Sequence, residues 1–243
     1  MGGCRCSGRR PTKAQGCDVV TTDVAVNGVR VGVRYAVADT IAGVGGDWFL
    51  GIALPGGDVM LAVGDVMGHG PDAAGTMRQL RASMTSLALA GDEPGTILAS
   101  LNRMLCRRRT TMLATAVCGR FSPADRMLVW ARAGHLPILR ANADGVWPLR
   151  QPPGMALGVE AGAAYPHAAV RIEPGELLFM YTDGVVERRD QAIDQGVQGL
   201  VDDVRAAMRA SAPDERMDRA LDGARRGNPD DDACLLAAEP VAR

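Results

Sequence analysis

The order of apolar runs and turns predicts an α+β fold, antiparallel and layered. Three observations carry that prediction. Hairpin-like strands come as a block before residue 66, two helical stretches follow, and strands resume from about residue 112. Regular alternation of strand and helix, the mark of a parallel sheet, is missing. No linker interrupts residues 17–240 and no internal repeat is visible, so the chain of 243 residues reads as one large domain.

The elements follow in order. Residues 1–16 are polar, basic and Gly-rich, a composition that predicts a disordered tail ahead of a domain over 17–243. Asp23–Val26 and Val29–Tyr35 flank Asn27-Gly28, the two-residue turn of a hairpin. Ala36–Val44 reads as a loop. A second hairpin joins Trp48–Leu54 to Val59–Val63 through the turn Pro55–Asp58. Its two open ends carry Gly45-Gly46-Asp47 and Gly64-Asp65. The start of one antiparallel strand lies beside the end of the other, so Asp47 and Asp65 are expected to be neighbours. The glycines at 64, 68 and 70 are expected to turn the backbone sharply.

Met77, Leu80, Met84 and Leu87 recur at helical spacing and predict a helix over Asp72–Ala90. Asp92 is placed to cap a second helix, striped by Ile97 or Leu98, Leu101 and Leu105, with Arg107–Arg109 at its C-terminal end. Strands are then expected at Met112–Phe121, Arg126–Ala133, Leu136–Arg140, Val146–Leu149 and Ala168–Ile172. Gly134-His135 is a sharp break, and 151–158 a Pro/Gly-rich loop. Leu177–Thr182 is a continuous apolar run, hence a central strand, and ends at Asp183-Gly184. Helices over about 197–210 and 213–226, the acidic turn Asp230–Asp232 and a last strand Ala233–Ala238 complete the chain.

Composition narrows the function. A net charge of −1 gives no global basic field for nucleic acid or an anionic membrane. No stretch reaches the roughly 20 apolar residues of a membrane span, and the basic N-terminus lacks the apolar core of a secretory signal. Six scattered cysteines without paired zinc-site spacing predict a reducing, cytoplasmic setting, with Cys118 and Cys234 as small buried hydrophobes.

Asp47, Asp65, Asp183 and one of Asp230–Asp232 thus end core strands at Gly- or Asp-rich breaks. One such aspartate is ordinarily a turn residue. Four brought together repel and are costly to desolvate, which bound cations would relieve. Oxygen donors suit Mg²⁺ or Mn²⁺, and the absence of a Cys/His set disfavours zinc. Two such ions about 4 Å apart can activate a water against a phosphate ester without a protein nucleophile.

The motifs Val44–Phe49, Gly64–Gly70, Ala133–Pro137, Pro153–Gly158, Tyr181–Glu187 and Asp231–Leu236 occur in that order over roughly residues 18–240. The set resembles the PPM-type metal-dependent protein serine/threonine phosphatases, and among them the bacterial stage II sporulation protein E-like group. The resemblance implies an αββα four-layer sandwich, two antiparallel sheets flanked by helices. It implies two ions of Mn²⁺ or Mg²⁺, with a third as an open option. Asp65 matches the aspartate that bridges the ions, Val66 the backbone carbonyl ligand, and Asp47, Asp183 and Asp231 the other acidic ligands. Asp65 and Asp47 would serve catalysis through the activated water. The following strand favours Asp231 over Asp230 and Asp232. Gly184 is expected to allow close approach to metal or its waters.

Some members carry a histidine two residues past the bridging aspartate. Met67 stands there in this chain, so that role does not pass to His69. His69 and His135 stay open between direct chemistry and a structural part, His167 has no motif behind it, and Trp48 and Glu187 read as packing or supporting residues. The implied substrate is a phosphorylated protein, an anti-sigma factor antagonist in a partner-switching pathway. With so short a segment before the first strand, regulation would come from a separate activator protein or from the helices at about 72–106. Two readings compete. Gly45–Phe49 superficially resembles the diguanylate cyclase signature, but Trp48 stands where that motif is acidic. A catalytically silent phosphatase-fold regulator that binds a signalling partner is the other.

Overall fold

The computed structural model describes residues 19–36, 45–108, 112–188, 191–209, 212–223 and 231–241. The expected tail at 1–16, most of the loop at 36–44, Arg109 and Asp230 lie outside them.

Eleven strands form two antiparallel sheets among these residues. In chain order they are β1 (Val19–Val26), β2 (Val29–Ala36), β3 (Trp48–Ala53), β4 (Val59–Val66), β5 (Ala114–Ser122), β6 (Met127–Ala133), β7 (Ile138–Asn142), β8 (Gly145–Leu149), β9 (His167–Arg171), β10 (Leu177–Tyr181) and β11 (Ala233–Pro240). One sheet runs β1-β2-β11-β10-β7-β8, the other β3-β4-β5-β6-β9. The helices are α1 (Pro71–Leu89), α2 (Pro94–Cys106), α3 (Ile193–Met208) and α4 (Pro213–Gly223).

Alternation along each strand builds four layers. On β4, Val59, Leu61 and Val63 face the other sheet, against Val33, Met180 and Leu236. Met60 and Ala62 face outward beneath Leu80, Met84, Ile97 and Leu101 of α1 and α2. On β10, Leu178 and Met180 point inward, whereas Phe179 and Tyr181 meet Leu200 and Val204 of α3 and Leu221 of α4. Both faces of these strands are covered, which is why they read as continuous apolar runs. The result is the αββα sandwich.

Several boundaries differ from the sequence reading. β4 does not stop at Val63. It continues to Val66, pairing Asp65 with Thr115 and Val66 with Ala114, so Asp65 is held by a ladder rather than by a turn. Gly64 is a strand residue whose missing side chain makes room for the Trp48 indole, 2.5 Å from where a Cβ would sit. The turn falls at Gly68 and Gly70, both with positive φ. On α1 the fully buried positions include Ala73, Ala74 and Ala88 beside Leu80 and Met84, while Met77 and Leu87 are only partly covered. Small residues there let the helix approach the sheet closely.

Asp92 does not cap α2. Glu93 occupies the N-cap without a side-chain bond, and Pro94 follows at the first helical position, where its missing N–H costs nothing. At the other end Arg108 donates from Nη1 to Thr76 Oγ1 at 3.0 Å, tying α2 to α1. α3 begins at Ile193, four residues before the expected start. Cys118 and Cys234 are buried and free, as their apolar surroundings predicted. No described helix is long and apolar enough to cross a membrane.

A buried polar knot anchors the far side of the six-stranded sheet. Glu176 accepts from Arg140 Nε at 3.1 Å and Nη2 at 2.7 Å, from Asn142 Nδ2 at 3.0 Å and from the Glu173 amide at 2.8 Å. Glu176→Ala strips four donors at once and leaves a half-buried guanidinium unpaired. We expect a loss of about 2–4 kcal/mol, seen as a drop of roughly 5–10 °C in Tm. An unchanged melting curve would show that the knot contributes nothing.

Candidate metal centre

The two sheets deliver carboxylates to one end of the sandwich. Asp47 immediately precedes β3 and Asp65 lies near the end of β4. Trp48 pairs with Gly64, which sets Asp47 beside Asp65 as the hairpin reading required. Asp183 follows β10 at the start of a short 3₁₀ turn (Asp183–Val185), and Asp231 precedes β11.

Asp47 is buried, and its Oδ2 accepts from the Thr182 hydroxyl at 2.7 Å. That hydroxyl in turn accepts from the Cys234 amide at 2.9 Å. Asp183 Oδ1 accepts from the Gly184 amide at 3.1 Å, and Asp231 Oδ1 from the Asp232 amide at 2.9 Å.

The electrostatics follow from this crowding. Burial, then the charge of Asp65, pushes the Asp47 carboxyl well above its ordinary range. Burial raises Asp65 to about 7, with Asp183, Asp231 and Asp232 adding repulsion. Asp231, though its residue is exposed, is raised as well, by partial desolvation of its carboxyl and then by Asp183. Each of these groups is costly to ionise beside the others.

Glycines leave space where this chemistry needs it. A Cβ on Gly46 would clash with the Val66 carbonyl oxygen and come within 2.8 Å of Asp65 Oδ1. A Cβ on Gly45 would fall on the Asp232 carboxylate. Gly184 departs from expectation: the atom pressed against it is the Asp232 carbonyl, so it serves backbone packing between the Asp183 turn and β11.

The donor set is all oxygen: carboxylates and one strand-end carbonyl at a cradle a side chain would fill. It fits a hard divalent cation. Among the described residues no three His, Cys, Asp or Glu side chains close on one point. Ions here would draw on these carboxylates and the Val66 carbonyl, with water completing their shells, as Mg²⁺ prefers.

Of the three consecutive aspartates, Asp232 is buried and Asp231 exposed, and both act on Asp65. The histidines separate clearly. His69 is exposed on the turn after β4 and His167 is exposed on β9. His135 is buried and hydrogen-bonded to Thr115 and Tyr181. Trp48 packs on Gly64, as a packing role requires, and Glu187 is exposed beside Asp231. Sequence reasoning missed Thr182, a polar residue closing an apolar run, and the burial of Asp232.

Residues 55–240 match the family model described as Stage II sporulation protein E (SpoIIE). The chain belongs to the SpoIIE family. Similar proteins include the phosphoserine phosphatase RsbU of Bacillus subtilis strain 168, 27% identical over 135 residues, which cover 55% of this chain and 40% of RsbU. Among solved structures, that of the RsbU and RsbW domains of Rv1364c from Mycobacterium tuberculosis superposes with a TM-score of 0.78 at 30% identity, covering 89% of this chain and 62% of that one. RsbX in complex with magnesium superposes with a TM-score of 0.69 at 16% identity, covering 90% of this chain and 99% of RsbX. This SpoIIE-family chain therefore spans less than half of its curated relative RsbU, and the likeness to RsbX is one of fold.

Proposed function

We propose that this SpoIIE-family chain is a metal-dependent phosphatase acting on phosphoserine or phosphothreonine of a protein, with two Mn²⁺ or Mg²⁺ ions at the carboxylate cluster. The observation that carries the reading is the convergence of Asp47, Asp65, Asp183 and Asp231 from both sheets, each raising the cost of ionising its neighbours. The named activity of RsbU supports the phosphoserine part.

Asp47, Asp65, Asp183 and Asp231 and the Val66 carbonyl would hold the ions, with Asp65 as the ligand shared between them. Bound there, divalent ions lower the pKa of water and polarise phosphoryl oxygens. The chain's own part is orientation. Thr182 fixes the Asp47 carboxylate, and the β4–β5 ladder fixes Asp65. On the family resemblance of the motifs, the proposed substrate is a phosphorylated anti-sigma factor antagonist in the cytoplasm, with a separate activator protein as a further partner.

Hydrolysis of an aryl phosphate and of a phosphoserine protein, with Mn²⁺ or Mg²⁺ and with chelator, tests the reading. Activity should require the metal, and Asp183→Asn should lower kcat/KM by about 100-fold or more. Chelator-indifferent turnover would sink the metal mechanism. A wild-type protein inert with every metal would favour the silent, partner-binding regulator.

A further inference from the structure

The candidate ligands come from two sheets with no strand in common. Asp47 and Asp65 belong to the five-stranded sheet, Asp183 and Asp231 to the six-stranded one. Between the sheets lie aliphatic side chains such as Val31, Val33, Leu61, Val63, Met180 and Leu236. Such contacts are non-directional and tolerate sliding, whereas ligand distances must hold to about 0.2 Å. Something directional must set the spacing at this end of the sandwich.

We propose that His135 is a positioning residue that, beside the direct Thr182–Asp47 bond, fixes the two carboxylate pairs relative to one another. Its imidazole spans the sheets. Nδ1 lies 2.7 Å from Thr115 Oγ1, and Nε2 lies 3.0 Å from the Tyr181 carbonyl oxygen. Thr115 stands directly opposite Asp65 in the β4–β5 ladder. The Tyr181 carbonyl belongs to the peptide that leads into Thr182 and Asp183. One ring therefore touches the strand partner of Asp65 and the backbone that carries Asp183.

The hydrogen-bond chemistry fixes the tautomer. A carbonyl only accepts, so Nε2 bears the proton. Nδ1 is then the acceptor for the Thr115 hydroxyl. Burial holds the ring's pKa down to about 4, so this neutral form prevails under ordinary conditions.

The network continues on both sides. Thr182 donates its amide to the Cys234 carbonyl at 3.0 Å and its hydroxyl to Asp47 at 2.7 Å. Tyr181–Thr182 thus links His135 to a ligand from each sheet. Behind the ring, Arg132 Nη1 donates to the His135 carbonyl at 3.0 Å, while its Nε donates to the Pro152 carbonyl at 3.3 Å and its Nη2 to the Arg150 carbonyl. This guanidinium holds the main chain of residue 135 against the loops of the six-stranded sheet. Gly134, at φ 63, makes the turn that carries the ring inward, and its amide donates to the Gly154 carbonyl at 2.8 Å.

The inference rests on the metal reading above, and its test separates the two. Mn²⁺ binding to the substrate-free protein is followed by the free-ion electron paramagnetic resonance signal for wild type, Thr115→Val, His135→Leu and the double variant. Loss of a residue that orients metal ligands weakens metal affinity by about 10–100-fold. We expect His135→Leu to fall in that range, Thr115→Val to weaken binding by about 10-fold, and the double variant to be no worse than His135→Leu, because both changes remove one path. His135→Gln keeps a donor near the Nε2 position and should recover part of the affinity.

Wild-type Mn²⁺ affinity in folded His135→Leu would overturn the proposal and leave the metal reading intact. Additive losses in the double variant would overturn it too. If His135→Leu does not fold, the near-isosteric Thr115→Val decides alone, and wild-type affinity there is fatal. Absence of Mn²⁺ binding in the wild type would sink the metal reading and the proposal with it.

Discussion

Asp65→Asn is expected to abolish phosphatase activity, by about 1,000-fold or more in kcat/KM, and to make the metal-free protein more stable. The two effects have one origin. Asp65 is pushed up to about 7 by burial and by Asp183, Asp231 and Asp232. A neutral amide of the same shape removes that repulsion and, with it, the carboxylate proposed to be shared between the ions.

The pH dependence has a definite sign. The folded-state value of about 7 lies above the ordinary 3.8. Between them the native state keeps a proton that the unfolded chain has lost, so metal-free stability falls as pH rises through this window. The stabilisation by Asp65→Asn should therefore be small near pH 4 and of order a few kcal/mol above pH 7. Divalent metal should reverse the ranking, raising the Tm of the wild type much more than that of the variant. Melting curves at pH 5 and pH 8, in chelator and in Mn²⁺, check this. A stability gap that does not change with pH would mean that repulsion at Asp65 is already compensated.

Gly46→Ala is the second large effect, and one methyl group suffices. Gly46 is not among the positive-φ glycines, so alanine meets no backbone penalty there. The obstacle is space. The new Cβ would clash with the Val66 carbonyl oxygen and lie 2.8 Å from Asp65 Oδ1, two of the candidate ligand atoms. The Val66 amide is also bonded to the Gly46 carbonyl at 3.2 Å, so the Gly46 segment cannot move off β4 without losing that bond. We expect Mn²⁺ affinity to fall at least about 10-fold and activity about 100-fold. The overpacking should cost about 1–3 kcal/mol of stability. Gly57→Ala, at an open and exposed hairpin turn, controls for any glycine loss: it strains a positive φ but lies outside the site. Wild-type metal binding by Gly46→Ala would remove this cradle from the proposed ligand set.

Much of this was legible in the chain, for local reasons. Asn27-Gly28 and Pro55–Asp58 fix two hairpins through turn chemistry alone, and the second hairpin places Asp47 opposite Asp65. The apolar runs at Val59–Val63 and Leu177–Tyr181 mark strands covered on both faces.

What stayed hidden depends on partners distant in sequence. The burial stripe of α1 shifts onto alanines because the sheet, not the helix period, decides how near the helix can come. Gly64 looked like a turn because nothing local shows that the Trp48 indole needs its space. Thr182 and His135 carry ordinary polar side chains. Their importance lies in an atom more than 40 residues away, Asp47 Oδ2 for one and the Tyr181 carbonyl for the other. His69, the more conspicuous histidine in sequence, is exposed.

The place of β11 has a consequence for how the protein comes into being. This strand is the last described element of the chain, yet it lies inside the six-stranded sheet, between β2 and β10. Until it is synthesised, β1–β2 and β10–β7–β8 are separate pieces, each with a bare edge open to pairing with another chain. Asp231 arrives with the same segment. A ribosome-bound chain still lacking residues 231–240 would thus be adhesive, and the step that closes the sheet is the one that would complete the proposed ligand set. The activity proposed above would then appear only once the sheet is closed.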